Sequence, residues 1–207
     1  KNLTVLTKTK VLRIHLKRNN SGEPSIVGVE LGVEASSNSW RLEAADKIVS
    51  CAGALMSPHL LMHSGIGPEK DLNNKGIKVQ VNAPGVGRNY QDHLAVQIKY
   101  KRKTSGPFHK QMRYDRAAYN FLASLSLGRG AFSVLPSGIH GFLPAEKRSV
   151  QPMLQFLFRG APGDALPWPP LISPGYQDGY GVRPVLLHPE SRGQITLSSN
   201  NPNDLPL

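Results

Sequence analysis

Residues 46–67 have the sequence DKIVSCAGALMSPHLLMHSGIG, which predicts a strand, a glycine turn and a helix in that order. The nearly apolar run within residues 46–52 is typical of a strand covered on both faces. Gly53 follows it and allows the backbone to turn sharply. Cys51 is the only cysteine, so an intrachain disulfide and a multi-cysteine zinc site are excluded. Its place in the apolar run predicts a buried packing residue rather than a nucleophile.

The helix of this stretch has its own start and stop signals. Ser57 is predicted to cap the first turn and Pro58 to be the first helical residue, because serine accepts a bond from an unpaired amide and proline has no amide. Gly65 is the predicted end. A strand, a glycine turn and a helix start offer free amides and a positive dipole end to a dinucleotide. The same arrangement also occurs in α/β folds that bind no nucleotide.

The composition of the 207 residues narrows the classes of function. Hydrophobic residues make up 39% of the chain, and no apolar run is long enough to cross a bilayer, so we expect no transmembrane segment. The formal net charge of +11 raises the alternative of a nucleic-acid-binding module. Neither a recognisable nucleic-acid-binding fold nor base-stacking aromatics accompany the basic residues. We therefore expect solvated lysines and no nucleic-acid partner, while attraction of an anionic substrate or redox partner stays open.

Residues 1–93 predict a sheet around the opening stretch. Apolar residues alternate with charged ones over Val11–Lys17, which predicts a half-buried strand that forms a hairpin with Ile26–Val33. A third strand at Trp40–Glu43 completes a three-stranded meander. Three further elements are predicted here: a strand at Leu3–Leu6, a short helix from residue 68 that Gly76 ends, and a strand at Ile77–Val81.

The sequence changes in character near residue 94. Residues 111–127 predict an amphipathic helix that stops at Gly128, with an apolar side expected in the core and formed by Tyr114, Ala118, Phe121, Leu122 and Leu125. Further strands are predicted at Val96–Lys101, Phe132–Leu135, Ile139–Leu143, Met153–Phe158, Val182–His188 and Gln194–Ser198. Many strands with little helix between them predict a largely antiparallel sheet. The predicted fold class is therefore α+β (mixed α/β).

Two segments carry a resemblance to a known family. Gly53 to Gly67 is similar, position for position, to the second signature of the glucose-methanol-choline (GMC) oxidoreductases, and Pro84–His93 looks like the family's next block. The resemblance implies that residues 1–93 are the C-terminal portion of an FAD-binding domain with a β-meander. Residues 94–207 would then be most of a substrate-binding domain. The phrase His188–Gly193 resembles the segment that returns the family's chain to the flavin domain.

The resemblance also implies roles for four residues beside FAD. Family members contact the adenine through the backbone of a valine, and Val11 occupies the matching place; from the residues alone an ordinary strand valine is an equally good interpretation. Ala52, Gly53 and Ala54 are expected to form one wall on the adenosine side. The implied reaction is oxidation of a small alcohol (a CH–OH donor) to an aldehyde or ketone, in which a base takes the hydroxyl proton while hydride passes to the flavin.

No catalytic residue and no metal ligand is assigned. The family's base is a histidine near its C-terminus, and none of the histidines here matches that block: His15, His59, His63, His93, His109, His140 and His188. Asp92 and His93 are adjacent, so their side chains point different ways, and structural support is the better interpretation. The Gly-x-Gly-x-x-Gly turn that binds the flavin diphosphate is also not found in the sequence.

The leading hypothesis is a fragment of a choline or alcohol dehydrogenase-like GMC oxidoreductase, inactive alone. Lys1 in the place of a methionine, and an end directly after a strand-like segment, favour a fragment. Two alternatives stay open. One is a family member that has lost redox chemistry, such as a lyase or binding protein, and the other is the nucleic-acid-binding module.

Overall fold

The computed structural model describes residues 2–33, 39–44, 47–133, 138–144, 151–163 and 165–207. The chain forms two compact units: Lys1–Gln91 with Ser191–Leu207, and Asp92–Glu190. The change from the first unit to the second, between Gln91 and Asp92, lies close to the boundary predicted near residue 94. Ser191–Leu207, at the end of the chain, belongs again to the first unit. The assignment of residues 1–93 and 94–207 as FAD-binding and substrate-binding domains stays a prediction.

The two units contain twelve strands and four helices among the described residues. In chain order these are β1 (Thr9–Arg18), β2 (Pro24–Val33), β3 (Ser39–Glu43), α1 (Gly53–His63), β4 (Ile66–Gly67), α2 (Glu69–Asn74), β5 (Val81–Asn82), β6 (Arg88–Tyr90), β7 (Leu94–Ala95), β8 (Ile98–Lys101), α3 (Pro107–Gln111), α4 (Tyr114–Leu127), β9 (His140–Leu143), β10 (Leu154–Arg159), β11 (Gly179–Leu186) and β12 (Gly193–Gln194). The mixed α/β fold class predicted from the sequence is confirmed.

The first unit is organised around the sheet β1-β2-β3, which is antiparallel throughout. The predicted hairpin and three-stranded meander are therefore confirmed. Two small pairings complete the unit: β4 with β5 in parallel, and β6 with β12 antiparallel.

The core of the first unit joins segments that lie far apart in the sequence. Met62 of α1 and Leu72 of α2 pack against Ile195 and Leu197, and none of the four is more than 7% exposed. The backbone N–H of Ile195 also donates to the carbonyl of Gly87 at 2.7 Å. The residues around β12 are therefore part of the same core as the two helices.

The predicted buried strand at residues 46–52 is wrong. Asp46 lies outside the described residues, and residues 47–51 form no strand. Val49 is 82% exposed and Cys51 is exposed as well, so the prediction of a buried Cys51 is also wrong. A strand needs a hydrogen-bonded neighbour, and no strand among the described residues pairs with this segment.

Helix α1 begins earlier than predicted. Gly53 has a φ of +79° and turns the chain directly into the helix, so Ser57 is not its cap and Pro58 lies inside it. Pro58 removes one backbone hydrogen bond. The helix continues because its C-terminal half, including Met62, is buried. The predicted end at Gly65 is confirmed, since the helix stops two residues before this glycine, whose φ is +77°.

Other short elements differ from the sequence-based expectation. The helix before Gly76 is confirmed as α2. No strand forms at Leu3–Leu6. The strand predicted at Ile77–Val81 is reduced to β5, because only Val81 of this segment pairs with another strand. The backbone N–H of Ile77 donates instead to the carbonyl of Leu72 at 3.0 Å, and the side chains of Ile77 and Val79 pack on the core. In the strand predicted at Phe132–Leu135, the first two residues form a turn and the last two lie outside the described residues. In the strand predicted at Gln194–Ser198, only Gln194 belongs to a strand, β12.

The second unit is built on a five-stranded antiparallel sheet, as predicted. β11 lies at its centre, because it pairs with β10 on one side and with both β7 and β8 on the other, and β9 follows β10. Buried Asp178 accepts backbone N–H bonds from Gly106 at 2.6 Å and Gly179 at 2.8 Å, which ties the start of α3 to β11. Among the described residues, no helix has the length and apolar character needed to span a bilayer.

Helix α4 confirms a helix that ends at Gly128, but it begins at Tyr114 rather than at the predicted residue 111, which belongs to α3, and the prediction of its core side is wrong. Tyr114, Phe121, Leu122 and Leu125 are 56–72% exposed and Ala118 is exposed too. The buried residues are Ala117 and Asn120, whose amide donates to Gln111 at 2.8 Å. The helix packs through the narrow face formed by Ala117 and Asn120. None of the described residues covers its apolar side.

We expect Gly87→Ala to destabilise the chain and Gly85→Ala, in the same loop, to leave its stability nearly unchanged. Gly87 has a φ of +76°, and a Cβ there would overlap the carbonyl oxygen of Ile195. A Cβ on Gly85 would meet nothing within 4 Å. The free energy of unfolding, measured by urea denaturation, should fall by about 2–3 kcal/mol for Gly87→Ala and by less than about 0.5 kcal/mol for Gly85→Ala. Equal losses in the two variants would contradict the role of Gly87 in holding β12 on the core.

Candidate functional site

A mainly apolar cavity of about 280 Å³ lies in the first unit between β1, the segment before α1 and the start of α1. We call it the α1 pocket. Its lining residues are Lys10, Val11, Leu12, Ile14, Val29, Ile48, Val49, Ser50, Cys51, Ala52, Met56, His59, Leu60 and Pro202. The segment predicted as a buried strand is thus one wall of a cavity.

Two of the four residues predicted to lie beside FAD meet at this pocket. Val11 of β1 and Ala52, the N-cap residue of α1, both line it. Gly53 and Ala54 follow Ala52 in the first turn of the helix and are exposed, but they do not line the pocket. The geometry brings the strand valine and the helix start together, and their contact with FAD stays a prediction.

Strand β1 is irregular where it borders the pocket. Its pairing with β2 shifts register between Val11 and Arg13. Such a β-bulge inserts an unpaired residue into one strand and interrupts the ladder, and bulges often border functional sites. A register shift depends on the pairing of two strands, so the residue types alone do not indicate it.

The start of α1 presents unpaired amides at the edge of the pocket. No side chain caps this first turn, and it contains no acidic residue. The first N–H groups of a helix have no partner within the helix, and they form the positive end of its dipole. A Cβ on Gly53 would meet nothing within 4 Å, so glycine is favoured there by its positive φ rather than by lack of space. This corner therefore offers hydrogen-bond donors beside an apolar cavity.

Two buried histidines lie one turn apart on α1. His59 and His63 are each 3% exposed, and their Nε2 atoms are 3.1 Å apart. Nε2 of His59 is also 3.0 Å from the carbonyl oxygen of Asp204. A carbonyl oxygen only accepts, so we infer that Nε2 of His59 carries the proton and shares this one N–H between the carbonyl of Asp204 and Nε2 of His63, which both accept. The proton of neutral His63 is then on Nδ1.

The surroundings keep this histidine pair neutral near pH 7. Burial is the main cause that lowers the pKa of His63 to about 4. The charges of His59, Arg13 and Lys10 act in the same direction, and Asp204 opposes them. Burial also lowers the pKa of His59. Protonation of either ring would place a charge in a buried site, and protonation of His63 on Nε2 would also remove the acceptor of the hydrogen bond between them.

We expect the free energy of unfolding to fall as the pH drops from 6.5, the ordinary histidine pKa, towards about 4, and His63→Leu to weaken this dependence. The pKa of His63 is lower in the folded chain, so in this window the unfolded state binds more protons, and stability is lost as the pH falls. Each pH unit costs at most about 1.4 kcal/mol per histidine. Urea denaturation across this pH range measures the effect.

The matched control for this experiment is His93→Leu, because His93 is exposed. The free energy of unfolding of this variant should depend on pH as it does in the unaltered chain, because the variant keeps both His59 and His63. If His63→Leu also retains the full dependence, the histidine pair is not its source.

Sequence reasoning assigned no role to His59 and His63. Their spacing of four residues could have indicated that the two rings lie close together, since residues four apart share one side of a helix. Their contact with Asp204, which lies 145 positions along the chain from His59, has no local signature. The adjacent Asp92 and His93 are both exposed, and the carboxylate of Asp92 accepts a bond from the backbone N–H of His93 at 2.8 Å.

Comparison with known proteins identifies relatives of this chain. The family profile described as GMC oxidoreductase matches residues 1–95. An uncharacterized GMC-type oxidoreductase of Mycobacterium bovis is 32% identical over 211 residues, which cover 100% of this chain and 36% of that protein. The mitochondrial choline dehydrogenase of Homo sapiens is 34% identical over 182 residues, which cover 86% of this chain and 30% of that protein.

A solved structure agrees with these relatives. The crystal structure of pyridoxine 4-oxidase from Mesorbium loti superposes with a TM-score of 0.72 at 28% identity, covering 100% of this chain and 35% of that one. The chain belongs to the GMC oxidoreductase family, as its two signature segments predicted. It spans about a third of the length of these relatives.

Proposed function

We propose that the chain is part of an enzyme that uses FAD to oxidise an alcohol to an aldehyde or ketone, and that its α1 pocket holds the adenosine end of FAD. Family membership supports the oxidoreductase class. Two relatives are named for small alcohols, choline and pyridoxine, which supports a small-molecule alcohol as substrate. The observation that carries the cofactor assignment is the meeting of Val11, Ala52 and the first turn of α1 at one apolar pocket.

The size and chemistry of the α1 pocket fit adenosine. Its volume of about 280 Å³ lies at the lower limit of the roughly 300–1,000 Å³ of ligand pockets, so it suits one end of a dinucleotide better than the whole. The apolar side chains of Val11, Ile48 and Met56 suit an adenine ring. The free amides of α1 donate, and the ring nitrogens and ribose oxygens of adenosine accept.

The division of labour in the proposed enzyme follows from what this chain contributes. Bound FAD supplies the hydride acceptor. The chain contributes a wall that orients the adenosine end through apolar contact and backbone donors. We propose that the diphosphate loop and the catalytic base belong to the part of the relatives' length that this chain does not span.

We expect adenosine to bind the 207-residue chain weakly, with a dissociation constant on the order of 1 mM, and Ala52→Trp to abolish this binding. Adenosine carries no phosphate, so the titration reports on the apolar pocket alone. Tryptophan at position 52 would fill the pocket, whereas Leu55→Trp, in the same helical turn but outside the lining residues, should leave the affinity unchanged. Backbone amide shifts measured by NMR during a titration test both variants, and equal affinities would contradict the assignment.

We also expect the isolated chain to hold no stoichiometric FAD and to oxidise no alcohol. One end of the cofactor makes too few contacts for tight binding, because affinity depends on well-packed contacts that exceed the cost of association. The chain purified in the presence of FAD should lack a flavin absorption band after gel filtration. A yellow chain with alcohol-oxidising activity would contradict this prediction, and the same assays on a full-length product of the gene test the proposed enzyme itself.

A further inference from the structure

A second cavity lies in the first unit, at the other end of α1. It has a volume of about 320 Å³ and is bordered by β1, the last turn of α1, the segment before β5 and Asn200. We call it the Arg13 cavity. Neither the predicted FAD contacts nor the proposed alcohol oxidation gives it a role.

The lining of the Arg13 cavity is positively charged. Arg13, Lys78 and His15 all contribute to it, and no carboxylate of the described part of the chain does. The nearest ion-pair partner is Glu30 of β2, which lies 3.7 Å from Arg13 and 4.0 Å from His15. Glu30 thus lies beside Arg13 and His15, and no ion pair is seen between Lys78 and a carboxylate of the described residues.

His63 lines the same cavity and has an unused donor. Its Nδ1 is buried and has no hydrogen-bond partner among the residues that the structure describes. Because Nε2 accepts from His59, neutral His63 carries its proton on Nδ1. A buried N–H without an acceptor costs about 1–3 kcal/mol, so a group that accepts a bond there would be stabilised.

A cation would not suit this cavity. The lone pair on Nε2 of His63 is occupied by the bond from His59, and the remaining nitrogen donates. Arg13 and Lys78 would repel a metal ion, and Lys10 adds a further charge near His63. The C-terminal end of α1 contributes only about half a negative charge, which the two permanent cations outweigh.

We propose that the Arg13 cavity binds a small oxyanion, the phosphate or carboxylate group of a small molecule, through Arg13, Lys78 and Nδ1–H of His63. Charged donors form the strongest hydrogen bonds with such groups. Ile14, Leu16 and Ile77 supply an apolar border for the rest of the ligand. The hydroxyl of Ser64 takes no part, because it accepts from Ile14 N at 2.7 Å and donates to the carbonyl of Leu60 at 2.6 Å.

The test is an NMR titration of the 207-residue chain at about pH 7.5 with sulfate and with acetate, at constant ionic strength maintained with chloride. Sulfate represents a phosphate group and keeps its charge near neutral pH, and acetate represents a carboxylate. We expect a saturable shift of the Nδ1 resonance of His63, with a dissociation constant on the order of 1 mM for the better anion. A response to sulfate alone assigns the cavity to phosphate groups, and a response to acetate alone assigns it to carboxylates.

Two variants locate the anion. Arg13→Gln should weaken binding about tenfold, the effect of losing one charged hydrogen bond. Lys78→Gln should weaken it as well, and since Lys78 is exposed this variant keeps the test valid if Arg13→Gln does not fold. Lys70→Gln on α2 is the matched control, because Lys70 is exposed and outside the cavity, and it should bind as the unaltered chain does.

The proposal is overturned if neither anion produces a saturable shift of His63 Nδ1. It is overturned equally if the shifts are the same in Arg13→Gln, Lys78→Gln and Lys70→Gln, because a general salt effect acts on all three alike.

Discussion

The first unit depends on the burial of residues 195–197 against helices α1 and α2. Ile195 and Leu197 cover Met62 and Leu72, and without them the two helices would expose their most buried side chains. The loop before β6 accommodates this closing segment only because Gly87 has a positive φ and no Cβ to meet the carbonyl of Ile195. The same segment continues to Pro202, which lines the α1 pocket, and to Asp204, which accepts from His59. The shape of the candidate site thus depends on the same packing as the core.

Helix α1 connects the α1 pocket with the Arg13 cavity. Its N-terminal turn gives the α1 pocket free amides and Ala52, and its C-terminal turn gives the Arg13 cavity the ring of His63. Between them the His59–His63 hydrogen bond requires Nε2 of His63 to be unprotonated. Protonation of His63 would break this bond, which lies on the helix that borders both cavities.

Local sequence signals predicted much of the fold. The alternation of apolar and charged residues gave the hairpin β1–β2, and the glycines at 65, 76 and 128 gave the helix ends, because each of these features is decided by neighbouring residues. Residues 47–51 and the apolar side of α4 were wrongly predicted to be buried. Burial requires a neighbouring element that covers the segment, and the described residues contain no such element for either. The family signature indicated Val11 and Ala52, which do meet at one pocket. The contact between His59 and Asp204 and the unpartnered Nδ1 of His63 arise from tertiary packing, and no local pattern announces them.

The discontinuity of the first unit has a consequence for synthesis on the ribosome. Residues 92–190 form a contiguous unit, so all of its parts are present once residue 190 has been made. The unit that holds α1 needs residues 191–207, and until they emerge Met62 and Leu72 lack the partners that cover them. Residues 92–190 are therefore all made before residues 191–207, and until those emerge the apolar surface of α1 and α2 stays exposed on the nascent chain.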